Sequence, residues 1–75
     1  MSLRKDLAKE INILEKEMRE LESKRSRSMA ALMEAVVSKR EPEETELQFF
    51  RQYTAEIEVK RERLIELTEQ LKNLV

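Results

Sequence analysis

The sequence predicts an all-α protein: an antiparallel two-helix coiled-coil hairpin that pairs with a second copy into a four-helix bundle. In both halves of the chain, apolar residues recur at alternating spacings of three and four, which is the spacing of a coiled-coil seam. The chain has no glycine and one proline, Pro42, which separates the two periodic halves. Charged residues make up 41% and hydrophobic residues 40%, a composition typical of long-helix proteins.

The first helix is predicted over residues 3–39. Its seam is formed by Leu7, Ile11, Leu14, Met18 and Leu21 and continues in phase through Arg25, Ser28, Leu32 and Ala35. The run 22–28 contains no apolar residue, so a break there, giving three helices in all, is the alternative. Because no glycine or proline interrupts this run and the register resumes without a slip, we expect one continuous helix.

The turn is predicted over residues 39–42 because Pro42 lacks an amide hydrogen and disfavours a helical conformation at Glu41. Proline is well suited to the first position of a helix, where its missing donor has no partner in any case. The second helix is therefore expected to begin at Pro42, with the neighbouring glutamates at its N-terminus.

The second helix is predicted over residues 42–74. Its seam is formed by Phe50, Tyr53, Ile57, Lys60, Leu64, Leu67, Leu71 and Leu74. With the turn centred near residue 41, we expect the following pairs across the hairpin: Leu14 with Leu67 or Thr68, Met18 with Leu64, Arg25 with Ile57, Ser28 with Tyr53 or Thr54, and Leu32 with Phe50.

The 75-residue length allows one domain and favours self-association. Two helices share a single seam, and small domains of this kind usually need disulfides, a metal or another chain. The chain has no cysteine and no histidine, which excludes disulfides and soft-metal sites, and no cofactor is expected. Association with another chain is then the remaining way to cover the seam, and we expect a homodimer.

The same absences, together with the lack of a glycine-rich loop or an activated nucleophile, argue against an enzyme.

The turn end is the predicted protein interface, because its apolar side chains exceed what two helices can cover. Phe49 and Phe50 are adjacent in sequence and thus about 100° apart around the helix, so they cannot share one seam. Methionine suits irregular partner surfaces. The predicted interface residues are Met29, Leu32, Met33, Val36, Val37, Leu47, Phe49, Phe50 and Tyr53.

A central basic belt is the alternative site, suited to the phosphates of RNA. Its predicted members are Lys24, Arg25, Arg27, Lys60, Arg61 and Arg63. The competing interpretation, which we favour, is a solvated girdle in which Glu22, Glu56, Glu58 and Glu62 neutralise these cations. Arg25 at a seam position is typical of a residue that sets register or oligomeric state.

The charge pattern agrees with a hairpin. Residues 1–40 contain ten Lys or Arg and seven Asp or Glu, a net charge of +3, whereas residues 41–75 contain five and nine, a net of −4. No targeting signal or membrane-spanning run is evident, and we expect a cytoplasmic protein.

These features predict a non-enzymatic adaptor or chaperone-like module that binds an amphipathic helix of a partner. In size and hairpin shape the chain resembles the small helical-hairpin chaperones of bacterial type III secretion systems, a resemblance that implies fold alone. A purely structural coiled-coil scaffold is a further alternative.

Overall fold

The chain folds into a long antiparallel hairpin of two α-helices, seen in a computed structural model that describes residues 2–74. Helix α1 spans Leu3–Val37 and helix α2 spans Glu44–Lys72, and the pair extends 56 × 16 × 15 Å. Residues 2–74 contain no β-strand. The predicted all-α hairpin is confirmed.

Helix α1 runs through the polar stretch 22–28 without a break. Along this stretch the seam residue Arg25 is half-buried and the next one, Ser28, is buried. The seam therefore keeps facing α2 even where its side chains are polar. This confirms the single-helix interpretation over the three-helix alternative.

Helix α1 ends at Val37, two residues before the predicted boundary. Lys39 takes a positive φ of 58°. The Lys39 amide donates to the Val36 carbonyl at 3.0 Å, and the Arg40 amide donates to the Ala35 carbonyl at 2.8 Å. These two bonds form a Schellman motif, which satisfies the last carbonyls of the helix and reverses the chain.

Helix α2 begins at Glu44, so the prediction that Pro42 is its first residue is wrong. Glu43 is the N-cap and is extended, with φ −67° and ψ 137°. Pro42 thus precedes the cap and forms part of the extended segment that enters the helix. Glu44 and Glu46 occupy the first turn, where the helix dipole favours negative charge.

The register of the two helices differs from the predicted one by about one helical turn. Leu14 and Leu67 share a core cluster as predicted, but Leu67 also packs in that cluster with Leu7, nearer the N-terminus. Ile57 packs with Met18 and Leu21, whereas the prediction placed it opposite Arg25. The cause is the position of the reversal, which occurs at Lys39 rather than near residue 41. Pro42 marks the end of the connection and not its centre.

The hydrophobic core occupies the half of the hairpin near the chain ends. One cluster contains Leu7, Leu14 and Leu67, with Ile11, Leu64, Leu71 and Leu74 packed against it. The second contains Met18, Leu21 and Ile57, with Tyr53 and Leu64 packed against it. In the turn half, residues 22–56, the buried residues are Ser28 and Ala35, both small. The turn half therefore has no core of large side chains.

Candidate interaction surface at the turn end

The predicted interface residues are all partly or largely open to solvent. The exposed ones are Met29, Met33, Val36, Val37 and Phe49. The half-buried ones are Leu32, Leu47, Phe50 and Tyr53. All nine side chains thus lie in the turn half, and Tyr53 is the one that also packs against a core cluster.

The coiled-coil seam divides this set between two sides of the hairpin. Met29 and Val36 directly follow the buried seam residues Ser28 and Ala35. In an antiparallel pair, residues that follow these seam positions lie on one side, and residues that precede the alternate seam positions lie on the other. The structure agrees, because Met29 lines a groove with Phe50 but not with Phe49.

We call the first side the methionine flank, and define it as Met29, Leu32, Met33, Val36, Leu47 and Phe50. Four of these six residues lie on α1 and two on α2. Val37 lies beyond the flank on the outer surface beside the turn and is 78% exposed. The methionine flank therefore places six apolar side chains on one side of the turn half.

We call the other side the tyrosine flank, and define it as Lys24, Arg27, Ala31, Phe49 and Tyr53. The rings of Phe49 and Tyr53 stack with centroids 6.1 Å apart and an interplanar angle of 17°. The flank borders a groove of about 390 Å³. Phe49 and Phe50 thus serve opposite sides of the hairpin, in agreement with their 100° separation around the helix.

A second groove on the tyrosine side was missed from the sequence. It measures about 470 Å³ and is lined by Leu21, Lys24, Ala55, Val59 and four charged residues. Because Lys24 lines both grooves, this one continues the tyrosine flank toward the chain ends. The available signal was the Ala55–Val59 pair at i, i+4 spacing, but both residues lie outside the seam pattern and are surrounded by charges.

A hydrogen bond between Ser28 and Glu46 forms a polar layer between the two helices in the turn half. Ser28 is 5% exposed, and its hydroxyl donates to Glu46 Oε2 at 2.9 Å. Within residues 2–74 no buried side-chain nitrogen or oxygen lacks a hydrogen-bond partner. A buried serine costs little when its hydroxyl is bonded in this way. The layer thus separates the apolar core from the uncored turn half.

The cations of α2 in the predicted basic belt are all paired with carboxylates. Lys60 Nζ lies 2.7 Å from Glu17, Arg61 lies 2.7 Å from Glu58, and Arg63 lies 3.2 Å from Glu10 and 3.5 Å from Glu66. Of the four predicted neutralising residues, Glu58 is the one that forms such a pair in the described part of the chain.

The structure also does not bring the six cations into one belt. Arg63 pairs with Glu10, which lies about 25 Å along α1 from Arg27 at 1.5 Å per residue. Arg25 lines the groove of the methionine flank, whereas Lys24 and Arg27 belong to the tyrosine flank. The shifted register accounts for the separation along the hairpin, and the angles of Lys24, Arg25 and Arg27 around α1 account for their division between the two sides.

Two further properties and the comparisons with known proteins bear on the class of site. Across residues 2–74, no group of three or more Asp or Glu side chains is placed to hold a metal ion. Neither α1 nor α2 is long and apolar enough to cross a membrane. Comparison with protein-family models, curated proteins and solved structures gives no match.

Proposed function

We propose that the chain is a non-enzymatic protein–protein interaction module, a helical hairpin that forms a homodimer and binds an amphipathic helix of a partner as an adaptor or chaperone-like protein. One observation carries the proposal. The turn half has no core of large side chains, and its apolar residues lie on the two flanks instead. Apolar strips of this kind mark interaction surfaces in folded proteins.

The surface area of the hairpin supports a second copy as one occupant. The chain exposes 6058 Å² for a mass of 9.0 kDa. A compact monomer of that mass would expose about 4,900 Å². The excess of about 1,200 Å² is more than the roughly 800 Å² that each partner buries in a standard stable interface. The surplus surface is therefore large enough to supply one such interface.

The methionine flank is the proposed surface for the second copy. A homodimer interface uses the same patch on both chains, so the patch must be self-complementary. Met29 and Met33 are flexible enough to interdigitate with their own copies. Two such hairpins would form a four-helix bundle with crossing angles near 20°.

The tyrosine flank is the proposed surface for the partner helix. The stacked Phe49 and Tyr53 rings provide apolar area beside Ala31. Lys24 and Arg27 border the same groove, and no carboxylate of the described residues lies within ion-pair distance of either. Glu46 also lines the groove and accepts the hydrogen bond of Ser28, so the groove has two cations against one carboxylate. This arrangement favours an amphipathic helix with an apolar stripe and acidic edges.

Two valines provide a matched test of the dimer surface. Val36 on the methionine flank is 68% exposed, and Val59 on the opposite side is 67% exposed. We expect Val36→Lys to convert the dimer into a monomer, because two ammonium groups, one from each symmetric copy, would have to lose their hydration in the apolar interface. Val59→Lys should leave the dimer intact. The measurement is mass by light scattering after size exclusion.

Circular dichroism of both variants checks that they remain helical, since both valines are exposed in the hairpin. The triple variant Met33→Ser, Phe49→Ser and Phe50→Ser should also dissociate the dimer. A monomeric wild-type chain, or an equal response of the two valine variants, would rule out the methionine flank as the dimer surface.

The partner-helix surface is testable with a synthetic probe. The probe is an amphipathic helical peptide with a leucine stripe and glutamate edges, compared with the same peptide carrying lysine edges. We expect only the glutamate peptide to bind, as measured by fluorescence anisotropy of a labelled peptide. Phe49→Ser should weaken binding about tenfold, equivalent to about 1.4 kcal/mol, without changing the dimer mass.

Replacing Lys24 and Arg27 together by glutamate should reverse the preference in favour of the lysine peptide. Equal binding of the two peptides to the wild type would contradict charge-guided recognition. Absence of binding by both would remove the tyrosine flank as a site for this class of helix.

A further inference from the structure

We infer that two hairpins pair through their methionine flanks with both turns at the same end, so that α1 of each chain lies against α2 of the other. The inference rests on the proposed self-association and defines its geometry. It follows from symmetry, from the distribution of apolar residues and from the charges of the two helices.

Symmetry leaves two arrangements for elongated hairpins that pack face to face. The two-fold axis lies in the plane of the interface, either along the hairpin or across it. An axis along the hairpin places the turns together and brings unlike helices into contact. An axis across it places the turns at opposite ends and brings α1 against α1 and α2 against α2.

The apolar residues favour the axis along the hairpin. The methionine flank is confined to the turn half, within residues 29–50. On the same side near the chain ends, the positions equivalent to Met29, Val36 and Leu47 hold Ala8, Glu15, Arg61 and Thr68. Ile65, equivalent to Met33 and 56% exposed, is the one large apolar side chain among the corresponding positions there. Turns at the same end place apolar strip on apolar strip. Turns at opposite ends would bury Met33 and its neighbours against charged side chains, which costs free energy through desolvation.

The net charges of the two helices also favour the arrangement with both turns at the same end. Helix α1 contains eight Lys or Arg and seven Asp or Glu, a net of +1, and α2 contains five and seven, a net of −2. The same-end arrangement therefore brings helices of opposite sign together, whereas the other arrangement pairs like with like. Exposed charges contribute little individually, so this term reinforces the apolar one.

The same-end arrangement also places both tyrosine flanks near one pole of the bundle, on opposite outer sides. The two sites for partner helices would then be held at a fixed separation. A partner that is itself dimeric can engage both at once, which raises its effective affinity without any new contact.

Distances between spin labels test the arrangement. The chain contains no cysteine, so a single serine-to-cysteine replacement gives one labelled site. Ser38 lies at the turn and Ser2 lies at the start of α1, and both are exposed. Neighbouring helix axes lie about 8–10 Å apart, so both Ser38→Cys and Ser2→Cys dimers should give backbone separations below about 20 Å. A mixture of the two variants should instead give distances near the 56 Å length of the hairpin.

Light scattering on the same samples separates the two levels of the proposal. A dimer with long Ser38–Ser38 distances and short distances in the mixed sample would overturn the same-end arrangement and leave self-association intact. A monomer would overturn both. Ser23→Cys, near the middle of α1, is the control, because its distance stays well below 56 Å in either arrangement.

Discussion

Lys39 has a backbone conformation that glycine adopts at far lower cost. Its φ of 58° places it at the residue after the C-cap of α1, the position where helices most often use glycine. In an L-residue the Cβ atom crowds the carbonyl in this conformation, which costs about 1–2 kcal/mol. The hairpin therefore stores strain at the point where the chain reverses.

We expect Lys39→Gly to raise the free energy of unfolding by about 0.5–1 kcal/mol, since the relief of strain exceeds the entropy that glycine adds to the unfolded chain. Urea denaturation at fixed protein concentration measures the change. Lys39→Ala is the control: it removes the charge but keeps Cβ, and it should give no gain. A gain in both variants would assign the effect to charge rather than to backbone strain.

At the scale of the helices, the seam was predictable and the ends were not. The seam positions from Leu7 to Ala35 lie within the single helix α1, as their spacing of three and four residues predicted. The end of α1 depends on Lys39, a residue type that gives no signal for a left-handed conformation. The sequence-based placement of the turn on Pro42 then shifted the predicted register of α2.

The site was predictable as a set of residues but not as two surfaces. The sequence shows that the apolar residues near the turn outnumber those that a two-helix seam can bury, and it also shows that Phe49 and Phe50 are about 100° apart around the helix. The flank that each residue joins follows from its position relative to the seam, but the residues that face it from the other helix depend on the register, as the bond between Ser28 and Glu46 does. The basic belt failed for the same reason, because its two halves lie at different levels of the hairpin.

Replacing Ile57 tests how much the pairing of the two helices depends on one buried seam residue. Its side chain is 0% exposed and packs with Met18 and Leu21. We expect Ile57→Ala to cost about 2–5 kcal/mol, through lost burial and the cavity left behind. Ile13→Ala, at a 50% exposed position on α1, should change stability by less than about 0.5 kcal/mol. Urea denaturation followed by circular dichroism compares the two, and equal costs would contradict the observed packing.

For the whole molecule, stability should depend on protein concentration. If the native state is a dimer, a hundredfold increase in concentration adds about 2.7 kcal/mol to its stability, which raises Tm by about 5–10 °C for a bundle of this size. Thermal scans by circular dichroism measure the effect. The Tm of the Val36→Lys variant should not depend on protein concentration. A wild-type Tm that does not change with concentration would contradict self-association.

The placement of the core near the chain ends has a kinetic consequence. The core cluster nearest the turn joins Met18 and Leu21 of α1 to Ile57 of α2, and 35 residues lie between Leu21 and Ile57. Closing such a loop costs entropy before any burial compensates it. Folding should therefore begin where this cluster forms, near the middle of the hairpin, rather than at the turn. The amides of the turn half would then be the first to exchange with solvent in an isolated chain, and association would protect them.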